Sequence, residues 1–376
     1  MAALCATAIA VLPAAPAHAD RIRDDQWHLR YLKVAEAHKL SQGAGVTVAV
    51  IDTGADPHPD LRDNLLPGTE TFPGGTDDGR EDVDSHGTGM AGLIAGHGKP
   101  GGNGALGVAP QAKVIPIRYV RHPGEPDSDN VAKGIEWATA KKVQIISISI
   151  GGGTSPREAA AIRAAIASDI VVIAGAGNIP QSYGIGFPAS YEGVLAVGAS
   201  DRDGNRAEVS VTGNKMGILA PGVDIYSTSL DGKYRKGTGT SDSTAIVAGA
   251  AALIRSRYPD LSAEEVVHRL TATAVDKGPP GHDDEYGDGV LDLMAALTAD
   301  VPPLAASATP SATATTSPST TAAAEPLPDD APRGMSTGTL LTVFAVFLVL
   351  AILIALLVVR SHRRTAARSA SPGDPV

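Results

Sequence analysis

The sequence predicts an α/β fold of three layers, α/β/α, built around a mainly parallel central sheet. Apolar strand-like runs and helical stretches alternate through the middle of the chain, a βαβ rhythm that sets parallel strands between two layers of helices. The run Gly45-Val-Thr-Val-Ala-Val-Ile-Asp52 is nearly continuous in apolar residues, as a strand covered on both faces requires. Composition agrees: 376 residues with 43% hydrophobic content, 42 Gly and only 4% aromatics predict one large domain with a core of small side chains, plus appendages.

Taken in order, the globular part opens with a short amphipathic arm over residues 27–40 and the first strand over residues 45–52. A glycine-rich apolar helix follows His86. Strands are expected over residues 113–120, 144–150 and 170–176, with helices over 128–142 and 156–168 between them. Two further strands, 193–199 and 217–221, precede a hairpin of 224–230 and 233–238 turning at Asp231-Gly232, a dipeptide suited to tight reversal. The small residues after Ser241 read as a buried helix, and helices over 262–274 and 290–297 complete the domain.

The ends read differently. Residues 1–19 are apolar and close on Ala17-His18-Ala19, a small-x-small pattern that suits signal peptidase, so the mature chain is expected to begin near Asp20. An arm over 20–42 then leads into the globular domain, 43–299. Residues 300–339 are dominated by Pro, Ala, Ser and Thr and read as an extended linker. Residues 340–359 carry no charge, and at about 1.5 Å per residue they span roughly 30 Å, the thickness of a bilayer core. Arg360, Arg363, Arg364 and Arg368 make 360–376 a basic tail, which by the positive-inside rule is cytoplasmic. The expectation is a single-pass cell-membrane protein with its globular domain outside the cytoplasm.

Charge and cysteine content exclude several classes. A net charge of −10 leaves no basic footprint for nucleic acid. The single cysteine, Cys5, lies in the leader, so the mature chain has neither a disulfide nor a thiolate metal site. The acidic stretches 77–84 and 283–288 read as solvated charge rather than calcium loops. No cofactor or metal is expected.

Three glycine-flanked windows carry the chemistry. GTSDSTAIVAG puts Ser241 at the start of a helix, in the positive field of its N-terminus. Alone, Ser241 and Asp242 would be read as caps. DSHGTGMAGLIAG puts His86 before a helix, and of the ten histidines it is the one flanked by residues that allow close backbone packing. Asp52 stands at the C-terminal end of a predicted parallel strand, where open α/β sheets place functional groups. Alone it would equally be a turn residue. Its Asp-Thr-Gly has no second copy, which argues against a paired-aspartate protease.

Over nearly all of residues 43–297 the chain resembles the subtilisin-like serine proteases, the subtilases of peptidase family S8. VAVIDTG with the following HPDL looks like that family's aspartate box, SHGTGMAG its histidine box and GTSDSTAIVAG its serine box; GVAP, GIEWA and ISIGG match segments between them. The resemblance implies a serine endopeptidase that works through an acyl-enzyme. Ser241 would be the nucleophile, His86 its base and then the acid for the leaving amine, and Asp52 the group that fixes the imidazole tautomer. Asn178 matches the oxyanion-hole asparagine. Ser149, Ile150 and Gly151 match one wall of the pocket for the residue before the cleaved bond, and Gly175, Ala176 and Gly177 the other. Two positions depart from the pattern: Asp242 stands where small or apolar residues are usual, and Ala245 where proline is. Ser243, two residues from Ser241, is expected to pack or to bond a carbonyl one turn back.

The layout of leader, short arm, catalytic domain, linker and one C-terminal span is similar to the mycosins, membrane proteases of type VII secretion systems. That similarity implies a protein or peptide substrate, a membrane and type VII secretion components as partners. A structural subunit of a secretion complex, keeping the fold with little turnover, is the competing reading.

Overall fold

The computed structural model describes residues 22–125 and 127–304. The expected leader, most of the linker, the span and the tail lie outside the described residues. Among those described, no helix is long and apolar enough to cross a membrane.

Among the described residues seven strands form one sheet in the order β2-β3-β1-β4-β5-β6-β7. They are β1 (Thr47–Asp52), β2 (Thr69–Glu70), β3 (Lys113–Arg118), β4 (Ile145–Ile148), β5 (Val171–Gly175), β6 (Leu195–Ser200) and β7 (Ile218–Pro221). Every neighbouring pair is parallel. β1 is central, flanked by β3 with Val50 opposite Pro116 and by β4 with Val50 opposite Ser147.

The apolar run of β1 is explained by what lies on each side. Val48 and Val50 pack with Met90, Leu93 and Ile94 of α4 (His86–Ala95) and with α7 (Thr240–Arg257). Ala49 and Ile51 pack on the opposite face with Ile135 of α5 (Ser128–Ala140) and Ile162 of α6 (Pro156–Ala167). Successive side chains of a strand point to opposite faces, so a strand between two helix layers must be apolar at every position. Each such valine or isoleucine contributes about 1.5–3 kcal/mol by leaving water. The predicted three-layer architecture is present.

Helix boundaries follow their caps. Asp127 accepts from Asp129 N and Asn130 N at the start of α5, and Ser155 caps α6 with Pro156 at its first position. Ser262 and Glu265 form a reciprocal capping box on α8 (Ala263–Ala272). The last helix, α9 (Leu293–Thr298), starts three residues later than the apolar pattern suggests because Asp292 accepts from Ala295 N and fixes the start there. Val290 instead bridges to Leu219 and Val275. The hairpin β8 (Ile225–Thr228) and β9 (Tyr234–Gly237) reverses through Asp231 at φ 57° and Gly232 at φ 67°.

The arm departs from the sequence reading. It is not one amphipathic stretch but three short helices, α1 (Ile22–Asp25), α2 (Trp27–Tyr31) and α3 (Val34–Ala37). Gln26, fully buried between the first two, donates from its amide to Leu106 O at 3.0 Å and Tyr226 O at 3.1 Å and accepts from Leu106 N at 2.9 Å. Trp27 Nε1 donates to Val223 O at 3.0 Å. His28 is also fully buried, with neither ring nitrogen hydrogen-bonded. Burial, with Arg30 adding to it, pushes its pKa down to about 3, so the ring is neutral in the folded state.

Candidate active site

Asp52 ends β1 with no exposure to solvent. Its Oδ1 accepts from Thr53 N at 2.8 Å, which leaves the carboxylate facing the start of α4. There His86 Nδ1 lies 2.8 Å from Oδ1 and 3.0 Å from Oδ2. This close approach requires Gly87: a Cβ at that position would overlap Gly54 O and stand 3.1 Å from Asp52 Cβ. Burial disfavours the imidazolium, but the charge and hydrogen bond of Asp52 outweigh it and the His86 pKa stands above the ordinary histidine value.

A second carboxylate holds this corner together: Asp82 lies in the acidic stretch 77–84 expected to be solvated, yet it is buried. Asp82 Oδ1 accepts from Thr53 Oγ1 at 2.7 Å, Asp84 N at 2.9 Å and Ser85 N at 3.1 Å. Its Oδ2 accepts from Thr88 N at 2.8 Å and Thr88 Oγ1 at 2.6 Å. Thr53 Oγ1 accepts in turn from Gly87 N at 3.0 Å. Asp82 thus satisfies the open N–H groups at the head of α4 and ties that helix to the loop carrying Asp52.

Ser241 is the second residue of α7, whose N-cap is Gly239 and which has no side-chain cap. The capping reading of Ser241 and Asp242 therefore fails. Ser241 Oγ donates to Ser149 O at 3.1 Å, and Ser149 Oγ donates back to Ser241 O at 3.2 Å. Asn178 lies alongside: its Oδ1 accepts from Thr240 N at 2.9 Å, which leaves the Nδ2 hydrogens as free donors and fixes which way the amide points. Thr240 Oγ1 also accepts from Gly177 N at 3.2 Å. A threonine next to the candidate nucleophile thus holds both the asparagine and the glycine turn before it.

Ser241 and Asn178 open onto one cavity of about 260 Å³. Ser149, Ile150 and Gly151 line it from the end of β4, and Gly175, Ala176 and Gly177 from the end of β5. Sequence reasoning missed Gly152, Gln181, Ser182 and Gly186, which also line it. No charged side chain is among the lining residues.

Other singled-out residues fall differently. Ser243 Oγ donates to Ala220 O at 2.9 Å, on the neighbouring strand, rather than one turn back. Thr244 makes the bond along the helix, to Thr240 O at 2.7 Å. Ala245 is fully buried in the core. Asp242 is 2% exposed and lies 3.4 Å from Arg235 Nη1. Gly87 beside His86 allows the close backbone packing expected of that window, while His28 and His58 are more deeply buried than His86. His58 Nδ1 accepts from Asp60 N at 3.0 Å, while Asp60 accepts from Ala105 N at 2.7 Å and Tyr234 Oη at 2.8 Å. The HPDL segment is therefore a buried brace. Among the described residues no group of three His, Cys, Asp or Glu is placed to hold a metal ion.

The chain is similar to known proteins in sequence and in fold. Residues 43–289 match the model of the Subtilase family, Peptidase_S8. The chain is 40% identical to subtilisin DY of Bacillus licheniformis over 260 residues, 68% of this chain and 92% of that one. It is also similar to the crystal structure of MycP1 from Mycobacterium smegmatis, with a TM-score of 0.67 at 31% identity over 78% of this chain and 88% of that one. The MycP3 protease from the type VII (ESX-3) secretion system superposes with a TM-score of 0.63 at 33% identity, over 77% and 91% of the two chains. A family model matched over residues 43–289 and a relative 40% identical over most of its length carry the assignment: the chain belongs to the subtilase family of serine endopeptidases.

Proposed function

We propose that this chain is a membrane-anchored, extracytoplasmic endopeptidase that cleaves peptide bonds with Asp52, His86 and Ser241. The observation that carries the reading is His86 Nδ1 held against both oxygens of Asp52, which leaves Nε2 free to take a proton from Ser241. In the resting site the Ser241 hydroxyl donates to Ser149 O. Rotation of that hydroxyl toward Nε2 lets Oγ attack the scissile carbonyl, and the imidazolium then protonates the leaving amine. Asn178 Nδ2, oriented by Thr240 N, and the backbone N–H of Ser241 supply donors for the oxyanion. Water repeats the sequence on the acyl-enzyme.

Because only uncharged residues line the cavity beside Ser241, the side chain before the cleaved bond is uncharged. The membrane anchor rests on the apolar, uncharged run 340–359 and the arginines that follow it. Action alongside a type VII secretion system rests on that layout together with the likeness to MycP1 and MycP3. Two experiments test the whole. A fluorophosphonate probe labels the purified chain and loses its target in Ser241→Ala; a folded chain that takes no label is a structural subunit. Protease added outside intact cells sheds a fragment ending within residues 301–339; shedding only after the membrane is breached reverses the orientation.

A further inference from the structure

The Asp242 side chain, which departs from the family pattern, does not stand alone. It meets Arg235 of β9, and two glycines, Gly89 on α4 and Gly237 at the end of β9 itself, leave room for the pair. A Cβ on Gly89 would stand 2.7 Å from Arg235 Nη1 and 2.8 Å from its Cδ. A Cβ on Gly237 would stand 2.5 Å from Arg235 Nη2 and 2.7 Å from Asp242 Oδ2. Gly89 lies three residues after His86 on α4, hence on the same helix face. The guanidinium is therefore threaded past the turn that carries the imidazole.

We propose that Arg235 and Asp242 are positioning residues that act as a matched pair of opposite charges beside His86, so that Asp52 alone sets the proton affinity of the ring. The proposal rests on His86 being the general base. Three charged groups act on the ring: Asp52 from β1, Arg235 from β9 and Asp242 from α7. Asp82, in the loop before α4, has both oxygens taken by hydrogen bonds, and Asp52 and Asp84 both act on the Tyr119 hydroxyl. Arg235 opposes the imidazolium and Asp242 favours it, so either charge alone would move the ring away from its set point. Burial pushes the Asp242 carboxyl above its ordinary value, and Arg235 is the strongest influence drawing it back. A buried carboxylate without that guanidinium would tend to take up a proton.

The test is the acid limb of the kcat/KM profile of the full-length chain on a neutral peptide anilide, in wild type, Asp242→Asn and the double variant Arg235→Gln/Asp242→Asn. Asp242→Asn leaves Arg235 unopposed, which destabilises the imidazolium, so the limb moves to lower pH by about half a unit. The double variant removes both charges and the limb returns to its wild-type position. If Asp242→Asn does not fold, Asp242→Met removes the same charge and predicts the same direction. A limb that stays put or rises in the single variant, or that is not restored in the double, overturns the proposal and leaves a pair that only packs. The ¹⁵N signal of the His86 ring, assigned by its loss in His86→Ala, reports the same shifts in a chain without turnover. Failure of hydrolysis and failure of the pair are thereby distinguished.

Discussion

His86 and Ser241 each stand at the head of a helix, yet they are held by different means. The head of α4 is tied by ionic hydrogen bonds: Asp82 accepts five of them and Asp52 grips the ring through both oxygens. At the head of α7 the bonds among Thr240, Asn178, Ser149 and Ser241 are neutral, and the ionic contact there, Arg235 to Asp242, lies one residue beyond Ser241. Charge-assisted bonds are about twice as strong as neutral ones. The imidazole is thus fixed in tautomer and direction, while the serine keeps a hydroxyl that turns at little cost. A proton acceptor must hold its aim through both halves of the reaction; the hydroxyl must leave its resting partner to react.

The sharpest way to break this contrast is at the nucleophile. Ser241→Ala is expected to abolish fluorophosphonate labelling and to lower kcat by about 10⁶, the size seen when such a serine is removed. Ser243→Ala, which loses only a bond to the neighbouring strand, keeps the label. Survival of the label in the first variant and its loss in the second would reassign the nucleophile. Next comes the neutral network: Asn178→Ala is expected to lower kcat by about 10² to 10³ with little change in KM, as for loss of one oxyanion donor. A drop below threefold would reduce Asn178 to a turn residue.

At the other helix, Asp82→Asn keeps the shape but removes the charge and turns one of the two accepting oxygens into an NH2 that cannot accept from the N–H and O–H groups facing it. Thermal or urea unfolding is expected to show a loss of about 1–3 kcal/mol. The fall in kcat should exceed that in labelled Ser241 content, because the ring loses its fixed aim while the serine does not. Equal falls would mean that the two helix heads are not independently held.

The smallest effect concerns pH, away from the site. The pKa of His28 is depressed by burial to about 3, below its unfolded value of about 6.5. The folded chain therefore binds fewer protons there than the unfolded one, and stability falls as pH drops below that unfolded value, by up to about 1.4 kcal/mol per unit. His28→Leu should flatten this fall between pH 6 and 4 while leaving neutral-pH activity unchanged. An unaltered slope would show that another group governs acid unfolding.

What the sequence reveals and what it hides divides along the same physical lines. β1 was legible because both of its faces are covered, so every position from Val48 to Ile51 carries the signal. Asp52, His86, Ser241 and Asn178 stand in recognisable local contexts, and the two expected walls line one cavity. Asp82 and Arg235 were not legible, since their partners are brought to them by the fold, and a carboxylate or guanidinium in a loop or short strand usually faces water. The two-residue β2 is too short to show a period. The arm misled for a related reason: its breaks are set by Gln26 reaching residues far along the chain, not by any local stop signal.

That last bond also dictates a sequence of events. Gln26 waits for Tyr226, which is made 200 residues later, and Trp27 waits for Val223. On a ribosome or a translocation channel adding about 5–20 residues per second, the arm emerges first and stays without its partners for on the order of ten seconds or more. The first of the described segments to be synthesised is thus seated only after a hairpin made some 200 residues later, so its docking reports that the hairpin preceding α7 has already formed.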